Sequence, residues 1–184
     1  MMELHTSELA AAARELHAGD RVLLSGTVYT ARDAAHKRLF ALLDAGEPLP
    51  MPLTGITIYH AGPTPAPAGM PIGSCGPTTS GRMDPYAPRL LRLGLCGIIG
   101  KGERNDAVCE AIRETGGVYF NAVGGAGALI AKCITAADVI AFPELGCEAI
   151  RALTISQLPL IAAIDCHGGN LFRSGRTEYA MPHS

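Results

Sequence analysis

The sequence has few charged residues, no tryptophan and no long apolar segment. Asp, Glu, Lys and Arg make up 17% of the 184 residues, against about 25% in an average soluble domain, and the formal net charge is −2. A weak charge of this sign gives no electrostatic basis for binding nucleic acid. Because no run of about 18 apolar residues occurs, we also expect no membrane-spanning helix and no membrane partner.

Apolar and loop-forming residues are abundant. Apolar residues make up 48% of the sequence, which excludes a disordered chain and a charged coiled coil. The 22 glycines and 13 prolines are too many for a helical bundle and indicate numerous loops. The length predicts a single domain over residues 1–184.

The N-terminal segment and the cysteines predict a cytoplasmic location. Residues 1–17 lack a basic start followed by an apolar run, so they do not resemble a signal peptide. The six cysteines form no CxxC motif, and we expect reduced thiols that serve mostly as small core residues and hold no metal. They are Cys75, Cys96, Cys109, Cys133, Cys147 and Cys166.

Segments with strand and helix periodicity alternate along the chain. Residues 21–29 have a strand pattern, and the next helix is predicted to begin with a capping box at Thr30 and to end near Gly46. Further strands are predicted at residues 152–155 and 160–165. The alternation predicts an α/β fold with a mixed sheet or with two sheet layers.

Three other helix starts and a tail are predicted from local signals. Thr6 and Asn105 are candidate N-caps, and Asp84 is a third because Pro85 would be the first helical residue. Residues 173–184 are predicted to be a polar tail.

The first candidate site follows the strand at residues 21–29. Arg32 and Asp33 lie four and three residues before His36, so the three side chains can share one face at a helix start. The positive end of the helix dipole favours an anion there. The alternative is a solvated helix face with an Asp–His contact.

The second candidate site is the loop at residues 76–82, Gly-Pro-Thr-Thr-Ser-Gly-Arg. Its hydroxyl groups, the Arg82 guanidinium and free backbone N–H groups suit a carboxylate or phosphate ligand. Thr78 and Thr79 are the central hydroxyls. The alternative is a structural loop whose hydroxyls satisfy turn N–H groups.

The third candidate is Lys101, one of only three lysines, which lies between two glycines after an apolar strand. Ligands of open α/β sheets bind at that end of a strand. The alternative is an ordinary exposed turn lysine. The glycine-rich residues 123–128 do not form a GxGxxG motif and predict close helix–sheet packing.

Together, Arg32, Arg82 and Lys101 suit a small dianion such as a dicarboxylate. The sequence offers no metal cluster, flavin site or nicotinamide site that would serve as the electrophile. It therefore predicts one half of an active site.

Five motifs occur in the order typical of one enzyme family. They lie at residues 19–36, 61–63, 76–84, 100–102 and 124–125. Over about residues 16–171, the chain resembles the beta subunit, or C-terminal domain, of iron–sulfur (class I) fumarases and L(+)-tartrate dehydratases. The resemblance implies a swivelling β/β/α domain with a mixed sheet.

The resemblance also implies a partner and a reaction. An alpha subunit would carry a [4Fe–4S] cluster through its own cysteines, with the active site between the two subunits. The family reaction is the reversible dehydration of a dicarboxylic 2-hydroxy acid, malate to fumarate or L-tartrate to oxaloacetate. A homodimer or heterotetramer is the implied assembly.

The family pattern assigns roles to the matching residues. Arg32, Arg82 and Lys101 would bind substrate carboxylates together with Thr78 and Thr79, and Thr78 would be the hydroxyl that moves the proton. Thr78, Arg82 and Lys101 form the implied catalytic set. Asp33 and His36 would orient Arg32 or line the pocket.

Two other functions remain open from the sequence. The first is a non-catalytic domain that binds a small anion or regulates a partner while retaining the fold. The second is a hydrolase that uses Cys75 or Cys166. Cys166 is adjacent to His167, but neighbouring residues on a strand point to opposite faces, which predicts that the two do not contact each other.

Overall fold

The structure, a computed structural model, describes residues 1–179. Seven strands and six helices are present in this part of the chain, with two short 3-10 helices at Ser80–Met83 and Pro143–Glu148. The strands are β1 (Met2–His5), β2 (Arg21–Thr30), β3 (Thr57–Tyr59), β4 (Gly97–Gly100), β5 (Val118–Asn121), β6 (Ile134–Ala141) and β7 (Ile150–Ile164). The helices are α1 (Leu9–Ala12), α2 (Asp33–Ala45), α3 (Ala87–Arg92), α4 (Asp106–Thr115), α5 (Gly127–Ala131) and α6 (Leu171–Tyr179).

The strands form one mixed sheet that closes into a ring. Its order is β1-β2-β3-β4-β5-β7-β6, and β2 also pairs with β7, so β2, β3, β4, β5 and β7 surround a common interior. Strands β1 to β5 pair in parallel, whereas β7 is antiparallel to β2, β5 and β6. The predicted single α/β domain with a mixed sheet is confirmed.

Alternation along the short parallel strands separates two hydrophobic clusters. Tyr59 and Ile99 belong to the cluster that includes the buried faces of β2 and β7. Their neighbours Ile58 and Ile98 belong to a second cluster, which includes apolar side chains of α2, α3 and α4. Successive strand residues point to opposite faces, so β3 and β4 pack on both sides and are fully buried.

The register of the parallel strands fixes where a site can form. Thr30 pairs with Tyr59, Tyr59 pairs with Ile99, and Gly100 pairs with Asn121. The carboxyl ends of β2 to β5 therefore lie side by side at one edge. The segments that follow these strands carry the candidate residues to that edge.

Several local predictions are confirmed. Asn105 caps α4, since its side chain accepts a hydrogen bond from Val108 N. Helix α2 ends at Gly46 as predicted, with left-handed backbone at φ 71°. Gly116 ends α4 in the same conformation, at φ 75°.

The predicted helix caps at Thr6 and Thr30 are wrong because these side chains have distant partners. Thr6 accepts a hydrogen bond from Thr27 N, and α1 begins only at Leu9. Thr30 lies in β2 and bonds to backbone groups of the β7 region, so α2 begins after Arg32 instead.

The C-terminal part also differs from the prediction. The two strands expected at residues 152–155 and 160–165 are one continuous strand, β7, which passes through Gln157 at φ 50°. Residues 173–179 of the predicted polar tail belong to α6. Residues 180–184 lie outside the described part. No helix among the described residues is long and apolar enough to cross a membrane.

Candidate active site

Backbone pairing joins the segment that carries Thr78 to the ends of β3 and β4. Thr78 N donates to His60 O at 2.7 Å, and Lys101 N donates to Thr78 O at 3.3 Å. Ser80 N in turn donates to Lys101 O at 2.9 Å, and Thr79 forms a parallel bridge with Lys101. Thr78, Thr79 and Lys101 are therefore brought together, as the sequence predicts.

Arg82 connects this segment to the start of α2. Its Nη2 donates to Thr78 Oγ1 at 2.5 Å, and its Nη1 lies 3.3 Å from Asp33 Oδ2. The Arg82 side chain is 46% exposed, so it remains accessible to a ligand. A guanidinium that donates to a hydroxyl stabilises the alkoxide form of that hydroxyl.

Arg32 is held beside the same helix start. Its Nη2 lies 3.4 Å from Glu148 Oε1, and a Cβ added at Gly62 would lie 2.7 Å from its Nη1. Arg32 Nε is buried without a hydrogen-bond partner among residues 1–179. Contacts within the described chain therefore do not saturate this guanidinium.

Lys101 is half-buried and lies beside the loop after β5. A Cβ added at Gly124 would lie 3.5 Å from Lys101 Cδ and 3.9 Å from its Nζ. Lys101 forms no salt bridge within the described residues. The Lys101 side chain therefore lies against the backbone of Gly124 at ordinary packing distance.

The glycine-rich residues 123–128 also allow close packing at Gly127. A Cβ at Gly127 would lie 2.4 Å from Ser74 Oγ and 3.0 Å from Gly76 N, and Gly127 O accepts from Cys75 N at 3.1 Å. The close approach at Gly127 is therefore to the loop ahead of Thr78, whereas the prediction for residues 123–128 was close packing of a helix on the sheet.

Two buried histidines lie beneath these residues. His36 Nδ1 donates to Arg32 O at 2.8 Å, and the His36 and His60 rings meet edge to face at 5.4 Å. Burial lowers the pKa of His36 to about 4 and holds the pKa of His60 well below its usual value. His36 is 1% exposed, so it supports the Arg32 backbone instead of lining an open pocket.

His60 and Glu148 were not predicted from the sequence, whereas Ser80 belongs to the predicted loop at residues 76–82. His60 Nδ1 lies 2.9 Å from Ser80 Oγ, which places His60 between β3 and the loop that carries Thr78. The sequence feature that could have identified His60 was its position directly after a buried apolar strand. Glu148 is 116 residues from Arg32 in sequence, and no local pattern marks it.

Asp84 has a different role from the predicted helix cap. Its Oδ1 accepts from Arg104 Nε at 2.6 Å, and its Oδ2 accepts from Asn105 N at 2.8 Å. The Arg104 side chain is fully buried, and helix α3 begins only at Ala87. This ion pair joins the segment after Arg82 to the segment after Lys101.

The charges at this edge nearly balance. Three cations, Arg32, Arg82 and Lys101, are accompanied by two carboxylates, Asp33 and Glu148. One net positive charge is left. Glu148 and Asp33 therefore orient the guanidinium groups of Arg32 and Arg82. Because a dianion carries two negative charges, its full neutralisation needs positive charge beyond these residues.

The cysteines do not form a metal-binding cluster in residues 1–179, where no three His, Cys, Asp or Glu side chains are arranged to hold a metal ion. Cys75 is fully buried, and burial raises the pKa of its thiol to about 12. The donor set of these residues does not fit an iron–sulfur cluster.

Cys166 and His167 are in contact, contrary to the prediction. Both follow β7 in a turn, and Cys166 Sγ lies 3.8 Å from His167 Nε2. His167 Nε2 also lies 2.9 Å from Arg14 O, and a carbonyl oxygen can only accept a hydrogen bond. This nitrogen therefore carries the proton and cannot take one from the thiol.

Comparison with known proteins gives consistent relatives. The chain is 39% identical over 168 residues to "Fumarate hydratase class I, anaerobic" of Escherichia coli, covering 90% of this chain and 31% of that protein. It is 40% identical over 156 residues to "Fumarate hydratase 2" of Leishmania major, covering 84% of this chain and 28% of that protein. The chain thus spans about a third of the length of these fumarate hydratases.

A shorter relative is matched over most of its length. The Methanocaldococcus jannaschii protein named "Putative L(+)-tartrate dehydratase subunit beta" is 37% identical over 165 residues, covering 86% of this chain and 85% of that protein. The family model described as Fumarase C-terminus matches residues 1–175. On this match and these relatives, the chain belongs to the Fumarase C-terminus family.

Proposed function

We propose that this chain is the beta subunit of a hydro-lyase that reversibly dehydrates a dicarboxylic 2-hydroxy acid, malate or L-tartrate. The observation that carries the proposal is the junction of Thr78, Arg82 and Lys101 at the edge where Arg32 also lies. In a member of this family, that arrangement supplies hydroxyl and cationic groups to one substrate.

In this proposal, the cations bind and orient the diacid. Arg32, Arg82 and Lys101 contact its two carboxylates, and Thr78 and Thr79 add hydroxyl hydrogen bonds. Charge-assisted contacts of this kind fix the orientation of the substrate.

Thr78 is proposed to take a proton from the carbon adjacent to the one that bears the departing hydroxyl. The Arg82 contact at 2.5 Å favours the alkoxide that would accept this proton. A threonine hydroxyl is nevertheless a weak base at neutral pH, so a carboxylate from the partner chain is proposed to accept its proton.

The proposed partner is an alpha subunit with a [4Fe–4S] cluster, because the resemblance to iron–sulfur fumarases implies such a partner and a relative matched over 85% of its length is named a subunit beta. Its iron would supply the Lewis acid for the departing hydroxyl. A homodimer of such pairs, a heterotetramer, is the proposed assembly.

The test is co-expression with a family alpha subunit under anaerobic conditions, followed by assays of malate and L-tartrate dehydration. We expect turnover by the complex, none by this chain alone, and loss of turnover after exposure to air. Arg82→Ala should abolish turnover and leave the fold intact. Arg92→Ala is the matched control, because Arg92 is a similarly exposed arginine that pairs with Glu114 instead.

Two outcomes would contradict the proposal. Turnover by the isolated, iron-free chain would remove the need for a partner. Binding of malate by the complex without turnover of either substrate would favour the non-catalytic anion-binding function instead.

A further inference from the structure

Glu148 contacts the proposed site from a part of the fold that carries none of the other site residues. It is the last residue of the 3-10 helix Pro143–Glu148, which connects the antiparallel strands β6 and β7. Its Oε1 lies 3.4 Å from Arg32 Nη2, and its Oε2 accepts from Ala34 N at 2.8 Å. One carboxylate therefore contacts both the arginine and the first turn of α2.

Arg32 is also confined by the backbone at Gly62. A Cβ at Gly62 would lie 2.7 Å from Arg32 Nη1 and 2.9 Å from its Cδ. The same Cβ would lie 3.2 Å from Cys147 O, so Gly62, Arg32 and the residue before Glu148 pack together. Arg32 is 23% exposed, and these contacts limit its rotamers.

The segment that carries Glu148 is itself attached to β7. Arg151 Nη2 donates to Gly146 O at 3.0 Å, and Arg151 Nη1 donates to Ala149 O at 3.3 Å. Glu144 pairs with Arg38 of α2, but both side chains are more than half exposed, so this pair contributes little to the position of the segment. Arg151 therefore holds the backbone on both sides of Glu148.

We propose that Glu148 is a positioning residue that fixes the Arg32 guanidinium for a substrate carboxylate. This inference rests on the proposed function, in which Arg32 binds the diacid. A free arginine loses rotamer freedom when it binds a ligand, and an arginine already paired with a fixed carboxylate loses less. The single Nη2 contact at 3.4 Å leaves other guanidinium N–H groups for the ligand.

The chain offers a matched pair of variants. Glu148→Gln removes the charge that pairs with Arg32 and keeps an amide oxygen that can accept from Ala34 N. Glu144→Gln makes the same change in the same 3-10 helix, at a glutamate that pairs with Arg38 instead. In the reconstituted complex, we expect Glu148→Gln to raise KM for the diacid about tenfold with little change in kcat. Glu144→Gln should leave both unchanged.

A second measurement does not depend on activity. In the full chain alone, nitrogen-15 relaxation of the Arg32 Nε–Hε group reports the order of its side chain. We expect Glu148→Gln to lower this order and Glu144→Gln to leave it unchanged. Gly62→Ala, which acts through crowding, should raise KM in the complex and alter the Arg32 signal without changing any charge.

Failure of the inference and failure of the proposed function give different results. Absence of turnover in the wild-type complex would contradict the proposed function, and the relaxation data would still test the positioning of Arg32. Unchanged Arg32 order in Glu148→Gln overturns the inference. An unchanged KM for this variant in an active complex also overturns it.

Discussion

Replacing Arg104 by methionine tests the buried ion pair that joins two segments of the proposed site. The Arg104 side chain is 0% exposed and that of Asp84 is 8% exposed, with 2.6 Å between Nε and Oδ1. In Arg104→Met, the Asp84 carboxylate keeps the Asn105 N–H and loses its counter-charge. Breaking one side of a buried pair costs about 3–5 kcal/mol.

Other contacts of Arg104 place the expected loss of unfolding free energy near the lower end of the range of about 3–5 kcal/mol. Its Nη1 and Nη2 are buried without hydrogen-bond partners in residues 1–179, so their removal relieves a desolvation cost. Its guanidinium lies 4.9 Å from the centre of the Tyr119 ring, and methionine can also pack there. We therefore expect a loss of about 3 kcal/mol, which corresponds to about 6–12 °C in Tm for a domain of this size.

Urea and thermal unfolding followed by circular dichroism would measure this loss. Arg92→Met is the control, because the exposed pair with Glu114 should contribute less than about 1 kcal/mol. Adding Asp84→Asn to Arg104→Met should restore part of the stability, because the neutral amide no longer needs a counter-charge. A loss of stability in Arg104→Met no greater than that in Arg92→Met would contradict the role of the buried pair.

Three further predictions follow from the same packing. Gly100→Ala places a Cβ 1.8 Å from Ser80 Oγ, so thermal unfolding should show a loss of about 1–3 kcal/mol; a Tm equal to wild type would contradict this. His36 has a folded pKa of about 4, below its unfolded 6.5, so stability is lost as pH falls through this window, by up to about 3 kcal/mol. The loss of unfolding free energy between about pH 7 and about pH 4.5, measured by urea unfolding, should therefore be smaller in His36→Gln than in wild type. An equal loss in the two proteins would refute this prediction. Burial raises the pKa of Cys75 to about 12, so iodoacetamide at neutral pH should modify exposed Cys147 and spare Cys75; mass spectrometry showing equal modification would contradict it.

The sequence predicted which segments meet because parallel strands share one edge for their carboxyl ends. Arg32 follows β2 and Lys101 follows β4, and the loop carrying Thr78 and Arg82 follows β3. Each segment could be recognised separately, and the α/β pattern was enough to place them together. Their substrate contacts stay predictions.

Long-range partners explain what the sequence could not predict. Asp84 has a strong local signal for a helix cap, since proline follows it. In the fold, the fully buried Arg104 guanidinium needs a carboxylate, and Asp84 supplies it. Thr30 likewise bonds to Ala149 and Arg151, more than 115 residues away. Local capping patterns contain no information about such partners.

The long strand β7 illustrates a second limit. Gln157 and Pro159 interrupt the apolar pattern, which predicts two strands, but β7 continues because it pairs with β2, β5 and β6 along its length. The pairing partners supply the hydrogen bonds that local propensity alone would not predict.

The most direct test of the central claim is a crystal structure of this chain bound to its proposed alpha subunit, with malate or L-tartrate in the site. The account predicts that the two substrate carboxylates lie within about 3.2 Å of the side-chain nitrogens of Arg32, Arg82 and Lys101. Substrate carboxylates bound only by residues of the partner chain, with these three side chains unengaged, would contradict it.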